Sequence, residues 1–64
     1  MNALIEITKE AAWQLIGNEE LSWRDYKTTE LTETSYYYNL GVSIQVVTNY
    51  IGNITQYYIE DINL

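Results

Sequence analysis

The chain contains no cysteine, no histidine and no proline. Without cysteine no disulfide can stabilise so small a domain. Without cysteine and histidine the usual ligands of a structural zinc site are missing. The same absences remove the commonest general base and the strongest side-chain nucleophile. We therefore expect a protein that is not an enzyme, with no catalytic residue, no cofactor and no bound metal. The lack of cysteine also favours a reducing compartment, so we expect a cytoplasmic protein, in the host cytoplasm if the protein is viral.

Long apolar runs are missing as well. No apolar stretch approaches the roughly 18 residues of a membrane-spanning helix, and the short apolar run near the start is broken by Glu6 and lacks the basic residues of a signal peptide. We expect no contact with a membrane.

Positive charge is scarce and confined to one part of the chain. The only basic residues are Lys9, Arg24 and Lys27, against nine acidic residues, and the formal net charge is −6. From residue 28 onward there is no cation to offset the acids, so this part of the surface should have a negative potential. We therefore do not expect direct binding of nucleic acid. We expect a positively charged partner.

The 64 residues are enough for one domain, residues 1–64, and for only a small core. Burial of apolar surface should contribute on the order of 95 kcal/mol. Ordering the chain at about 1.5 kcal/mol per residue costs nearly the same. Because the two terms almost cancel, we expect a homodimer or a monomer stabilised by a partner.

The first third of the chain predicts a strand followed by a helix. Residues 3–7 alternate between apolar and other side chains, as in a short strand. Thr8 can cap a helix over residues 9–16, and Gly17 follows where a helix commonly ends. The alternative is a single helix over residues 3–16 with poorer capping.

The rest of the chain predicts β-structure. Residues 19–35 are polar and rich in threonine, which favours an irregular or edge strand. Residues 36–49 form one strand with Gly41 as a bulge or bend, and Gly52-Asn53 is a two-residue turn into a strand over 54–62. This turn pairs Val47 with Tyr58 on one face and Val46 with Ile59 on the other. The predicted fold class is α+β, with a single short helix packed on a three- to four-stranded antiparallel sheet that ends in a C-terminal β-hairpin.

Six of the seven tyrosines lie in the cation-free part of the chain. Consecutive strand residues point to opposite faces, so the run Tyr36-Tyr37-Tyr38 cannot lie wholly in the core. Tyrosine is enriched at protein interfaces, although it is also simply a good strand former. With acids interleaved among phenols, this region could imitate the phosphates and bases that a nucleic-acid-binding protein recognises.

We therefore expect a small acidic binding protein that inhibits a nucleic-acid-handling protein by occupying its basic surface. Small viral inhibitors of restriction or CRISPR systems have a comparable size and charge. The alternatives are an assembly protein that self-associates through an exposed aromatic sheet face, with Val47 and Tyr58 uncovered, and an antitoxin that neutralises a basic toxin. The predicted contact residues are Glu30, Glu33, Tyr36, Tyr37, Tyr38, Tyr58, Glu60 and Asp61.

Overall fold

A computed structural model of the protein describes residues 3–61. In chain order the elements are β1 (Ala3–Ile7), α1 (Lys9–Ile16), α2 (Glu19–Ser22), β2 (Trp23–Thr28), β3 (Thr32–Asn39), β4 (Val42–Asn49) and β5 (Ile54–Asp61).

The strands form one antiparallel sheet in the order β1-β5-β4-β3-β2. The predicted α+β class is therefore confirmed. The described residues contain five strands and two helices, where the sequence predicted three or four strands and one helix. The sheet has one strand more than predicted because residues 36–49 form two strands instead of one. The second helix is a single turn within the region predicted to be irregular.

The predicted strand and helix at the start are confirmed, and the single helix over residues 3–16 is not formed. Thr8 has extended backbone angles, and its hydroxyl accepts a hydrogen bond from the amide of Ala11 at 3.1 Å. Gly17 ends α1 with a φ of 67°, and its amide donates to the carbonyl of Trp13 at 3.0 Å. Both ends of α1 are thus satisfied locally.

Gly41 is the second residue of a hairpin turn, so the prediction of one long strand with a bulge or bend at Gly41 was wrong. Asn39 pairs with Val42, and the two residues between them, Leu40 and Gly41, have φ angles of 52° and 78°. Positive φ at both positions is the geometry of a tight two-residue hairpin. Leucine rarely adopts this conformation, so Leu40-Gly41 is not a pair from which a hairpin turn is readily predicted.

The turn between β4 and β5 is longer than predicted. Asn49 pairs with Ile54, which leaves the four residues 50–53 in the loop, and the predicted register was wrong by two positions. The hydroxyls of Thr48 and Thr55 lie 3.1 Å apart, and the amide of Tyr50 donates to the carbonyl of Leu31 in the neighbouring hairpin loop at 2.8 Å. A shift of two residues keeps every side chain on its predicted face.

The core lies between α1 and one face of the sheet. It consists of Ala12 and Ile16 from α1, Tyr37 from β3 and Ile44 from β4, with Ile7, Trp13, Leu15, Val42, Val46 and Tyr57 packed around it. Two polar contacts fix the end of α1. The amide of Asn39 donates to the carbonyl of Leu15 at 2.8 Å, and the hydroxyl of the buried Ser22 donates to the carbonyl of Ile16 at 2.6 Å.

Candidate protein-interaction surface

The sheet has one face covered by α1 and one that is not. Tyr37 and Ile44 pair with each other and lie beneath α1, so their neighbours along β3 and β4 point the opposite way. We call the face opposite α1 the open face. Its side chains at the centre and on the β1 side, placed by strand register, are Leu4, Glu6, Tyr36, Tyr38, Ser43, Gln45, Val47, Tyr58 and Glu60.

These side chains form rows across the sheet. One row runs from Tyr36 through Gln45 and Tyr58 to Glu6, and the next runs from Tyr38 through Ser43 and Glu60 to Leu4. Leu4 is 50% exposed and Tyr38 is 47% exposed. Directly opposed residues on one face of antiparallel strands lie close enough to present a continuous surface.

A shallow cavity of about 310 Å³ lies on the open face. Ser43 and Gln45 of β4, which are smaller than tyrosine, lie between the tyrosines of β3 and the carboxylate of Glu60 on β5, and the surface is lower there. Arg24 of β2 also lines this cavity. The open face therefore combines aromatic side chains, amide and hydroxyl groups, and charges of both signs.

Two cations from the earlier part of the chain lie beside the tyrosines of β3. The ammonium nitrogen of Lys27 lies 5.6 Å from the centroid of the Tyr36 ring, a cation–π contact. Arg24 lines the same cavity as Tyr36 and Tyr38, and its Nη1 donates to the backbone carbonyls of Leu21 and Trp23 at 2.8 and 3.1 Å. Antiparallel pairing of β2 with β3 brings these cations, distant in sequence, to the aromatic surface.

Charge on the open face is consequently divided. Arg24, Lys27 and Asp25, which pairs with Tyr36, lie along the β2 side, so both cations and one carboxylate are present there. Along the β5–β1 side lie the carboxylates of Glu6 and Glu60. Glu6 is exposed, and its Oε2 accepts a hydrogen bond from Gln56 at 3.4 Å. A partner with basic side chains would meet favourable potential over only one half of this face.

Four of the eight predicted contact residues lie on the open face: Tyr36, Tyr38, Tyr58 and Glu60. The other four lie elsewhere. Glu30 is exposed in the loop between β2 and β3, and the register places Asp61 on the face that α1 covers, at the end of β5.

Tyr37 is a core residue. It is 6% exposed, and its ring meets that of Trp13 edge-on with 5.8 Å between centroids. Its hydroxyl donates to Oε1 of Glu19 at 3.3 Å. Burial, together with the nearby carboxylate of Glu19, raises the pKa of the Tyr37 phenol. The structure therefore separates Tyr37 from Tyr36 and Tyr38.

Glu33 lies on the same face as α1, where two tyrosines bind it. The hydroxyl of Tyr26 donates to Oε2 of Glu33 at 2.5 Å, and that of Tyr50 donates to the same oxygen at 3.4 Å. The hydrogen bond to Glu33 is the main reason that the pKa of Tyr26 is raised to about 12. Glu33 thus joins β2, β3 and the loop after β4.

Glu6, Arg24 and Lys27 were not among the predicted contact residues. Their place on the open face depends on which strands become neighbours, and the pairing of β1 with β5 and of β2 with β3 is not marked by any local pattern.

Residues 3–61 contain no group of three or more acidic, histidine or cysteine side chains placed to hold a metal ion. Within the same range, neither helix is long and apolar enough to cross a membrane. No protein-family model matches the chain, and no curated protein or solved structure matches it significantly.

Proposed function

We propose that this protein is a non-enzymatic binding protein that contacts another protein through the open face of its sheet. The observation that supports this most strongly is the presence of exposed or half-exposed Tyr36, Tyr38, Val47 and Tyr58 on a face that no described element covers. Large aromatic side chains surrounded by polar groups are typical of the centre of a protein interface.

The partner that we propose is a protein with a basic surface, and more narrowly one that handles nucleic acid and is inhibited when this surface is occupied. The net charge of −6 would attract such a partner over long range. At contact, its lysines and arginines would lie over Glu6 and Glu60. Its acidic or polar groups would lie over Arg24 and Lys27. This uneven distribution of charge favours one orientation of the partner, and it differs from the uniformly negative surface expected of a simple nucleic-acid mimic. An antitoxin bound to a basic toxin would use the same contacts.

The second candidate is self-association through the open face, which is favoured by the apolar side chains of Val47 and Leu4 among its polar groups. Two copies both have the net charge of −6, so raising the salt concentration would strengthen their association. The same rise in salt concentration would weaken binding to a basic partner. Salt dependence therefore separates the two candidates.

The experiment uses two double variants that change the charge equally on different sides of the molecule. Glu6→Gln with Glu60→Gln removes both carboxylates from the β5–β1 side of the open face. The matched control, Glu10→Gln with Glu20→Gln, removes two exposed carboxylates from the first turns of α1 and α2. Each protein is immobilised, incubated with lysate of the native host, and the retained proteins are quantified by mass spectrometry.

We expect partners that the wild-type protein and the helix variant retain and the open-face variant loses. Their association should slow when the salt concentration rises from about 50 to about 500 mM, because the screening length shortens severalfold. If both double variants lose the same partners equally, net charge and not the open face determines binding. If the open-face variant retains everything, the proposal is wrong.

A further inference from the structure

The two free edges of the sheet differ in how they are protected. β2, at one edge, has Arg24, Asp25 and Lys27 in its six residues, and its pairing with β3 is interrupted by a bulge between Trp23 and Asp25. Charged side chains and bulges are the usual means of preventing an edge strand from pairing with another chain. β2 is thus a protected edge.

β1, at the opposite edge, has none of this protection apart from one glutamate. Its sequence is Ala-Leu-Ile-Glu-Ile, its register with β5 is regular over all five residues, and it contains no proline or glycine. Leu4 on the open face and Ile5 on the helix face are 50% and 42% exposed. Within residues 3–61 no strand pairs with its outer side. The backbone groups on that side and both apolar side chains are therefore available to a further strand.

We propose that this further strand is β1 of a second copy, so that two molecules join their five-stranded sheets edge to edge across a two-fold axis. Antiparallel pairing of identical strands follows from such an axis, and it continues the antiparallel order of the existing sheet. This interface is distinct from the open face, which stays uncovered in the dimer.

Length and charge select the register of the two β1 strands. With Ile5 on the axis, all five residues pair: Ile5 lies opposite Ile5, and Leu4 lies opposite Glu6 of the second copy. With Glu6 on the axis, two carboxylates would lie directly opposite each other, which is destabilising. Every other register leaves residues of β1 unpaired. The register centred on Ile5 also gives both exposed apolar residues a partner.

The position of α1 is compatible with this pairing. The main contacts of the helix are with β3, β4 and β5, so it lies over the middle of the sheet. An axis perpendicular to the sheet places both helices on one side and both open faces on the other. Two open faces would then form a single surface of twice the width, with Glu6 and Glu60 of each copy near its centre.

Because the chain has no cysteine, single cysteines test the register directly. Opposed residues of antiparallel strands have Cα atoms about 4.5–5.5 Å apart, which is within the range that a disulfide spans. We expect Ile5→Cys to form an intermolecular disulfide under mild oxidation. Leu4→Cys alone should cross-link poorly, whereas a mixture of Leu4→Cys and Glu6→Cys molecules should form the heterodimer. Thr28→Cys, at the exposed end of β2, is the control for random collision.

A second pair of variants tests the same register without cross-linking. Ile5→Lys places two ammonium groups together at the axis and should convert the dimer to a monomer in analytical ultracentrifugation. Leu4→Lys places a lysine opposite Glu6 of the second copy and should leave the dimer intact. Circular dichroism is the control that checks whether both variants fold. A wild-type protein that sediments only as a monomer, or equal cross-linking of Ile5→Cys and Thr28→Cys, would overturn the proposal.

Discussion

Replacement of Ile44 by alanine should come close to unfolding the protein. Ile44 is fully buried, and it is one of the four residues that form the core with Ala12, Ile16 and Tyr37. Its side chain fills the space between α1 and the middle strand of the sheet. No spare apolar side chain can move in from a second layer, because the opposite face of β4 is the open face.

The size of the effect follows from the carbons removed and from the size of the chain. Isoleucine to alanine removes three carbons, worth about 2.4 kcal/mol at about 0.8 kcal/mol each. The remaining cavity brings the total to about 3–4 kcal/mol. A domain of 64 residues has a free energy of unfolding of about 3–10 kcal/mol. Ile44→Val removes one carbon and should cost about 1 kcal/mol, or a decrease in Tm of roughly 4–8 °C.

The measurement is urea unfolding followed by tryptophan fluorescence. Trp13 is a suitable reporter because its ring contacts those of Tyr37 and Tyr57. The matched control is Ile51→Ala, the same substitution at a residue that is 66% exposed in the loop after β4. It should change the free energy of unfolding by less than about 0.5 kcal/mol. If Ile44→Ala and Ile51→Ala lower the free energy of unfolding equally, the core is not where the structure places it.

Two further predictions concern single sites. The pKa of Tyr26 is raised from 10.0 to about 12, so the folded state holds this proton more tightly than the unfolded state. The resulting stability is fully present below pH 10.0 and is lost as the pH rises toward about 12. Glu33→Gln should bring the Tyr26 titration, followed by phenolate absorbance, back toward 10.0, and an unchanged titration would show that the hydrogen bond to Glu33 is absent. Leu40, at a φ of 52° and 90% exposed, has an unfavourable backbone conformation for leucine and little packing to lose. Leu40→Asn should therefore stabilise the protein by about 1 kcal/mol in thermal unfolding, whereas Leu31→Asn, at an exposed residue without positive φ, should not.

Local signals predicted the first strand and the first helix well. Alternation over residues 3–7, a threonine cap and a terminal glycine act within a few residues, and β1 and α1 begin and end where these signals place them. The faces of β4 and β5 were also predicted correctly even though their register was not. Side chains alternate between the two faces along a strand, so the face of a residue depends only on whether its number is odd or even. A register shift of two positions does not change it.

The candidate site was predicted less completely because it depends on strand order. Tyr36 and Tyr38 were placed together by simple alternation, but alternation could not show that Tyr37 is the member of the run that enters the core. The charges beside them come from β2 and β1, which reach the open face only through pairing with β3 and β5. The contacts of Glu33 likewise join three separate segments, and no local pattern specifies them.

The pairing of β1 with β5 also brings the two described ends of the chain side by side, since Ala3 lies opposite Asp61. A short linker between these ends, with new termini opened in the exposed loop at residues 50–53, should give a circular permutant that keeps every strand pair. The same proximity matters for any fusion. A tag joined next to Ala3 and one joined next to Asp61 would start from the same end of the sheet, so exchanging one for the other is a poor test of steric blocking. The β4–β5 loop offers an attachment point at the far end of β5.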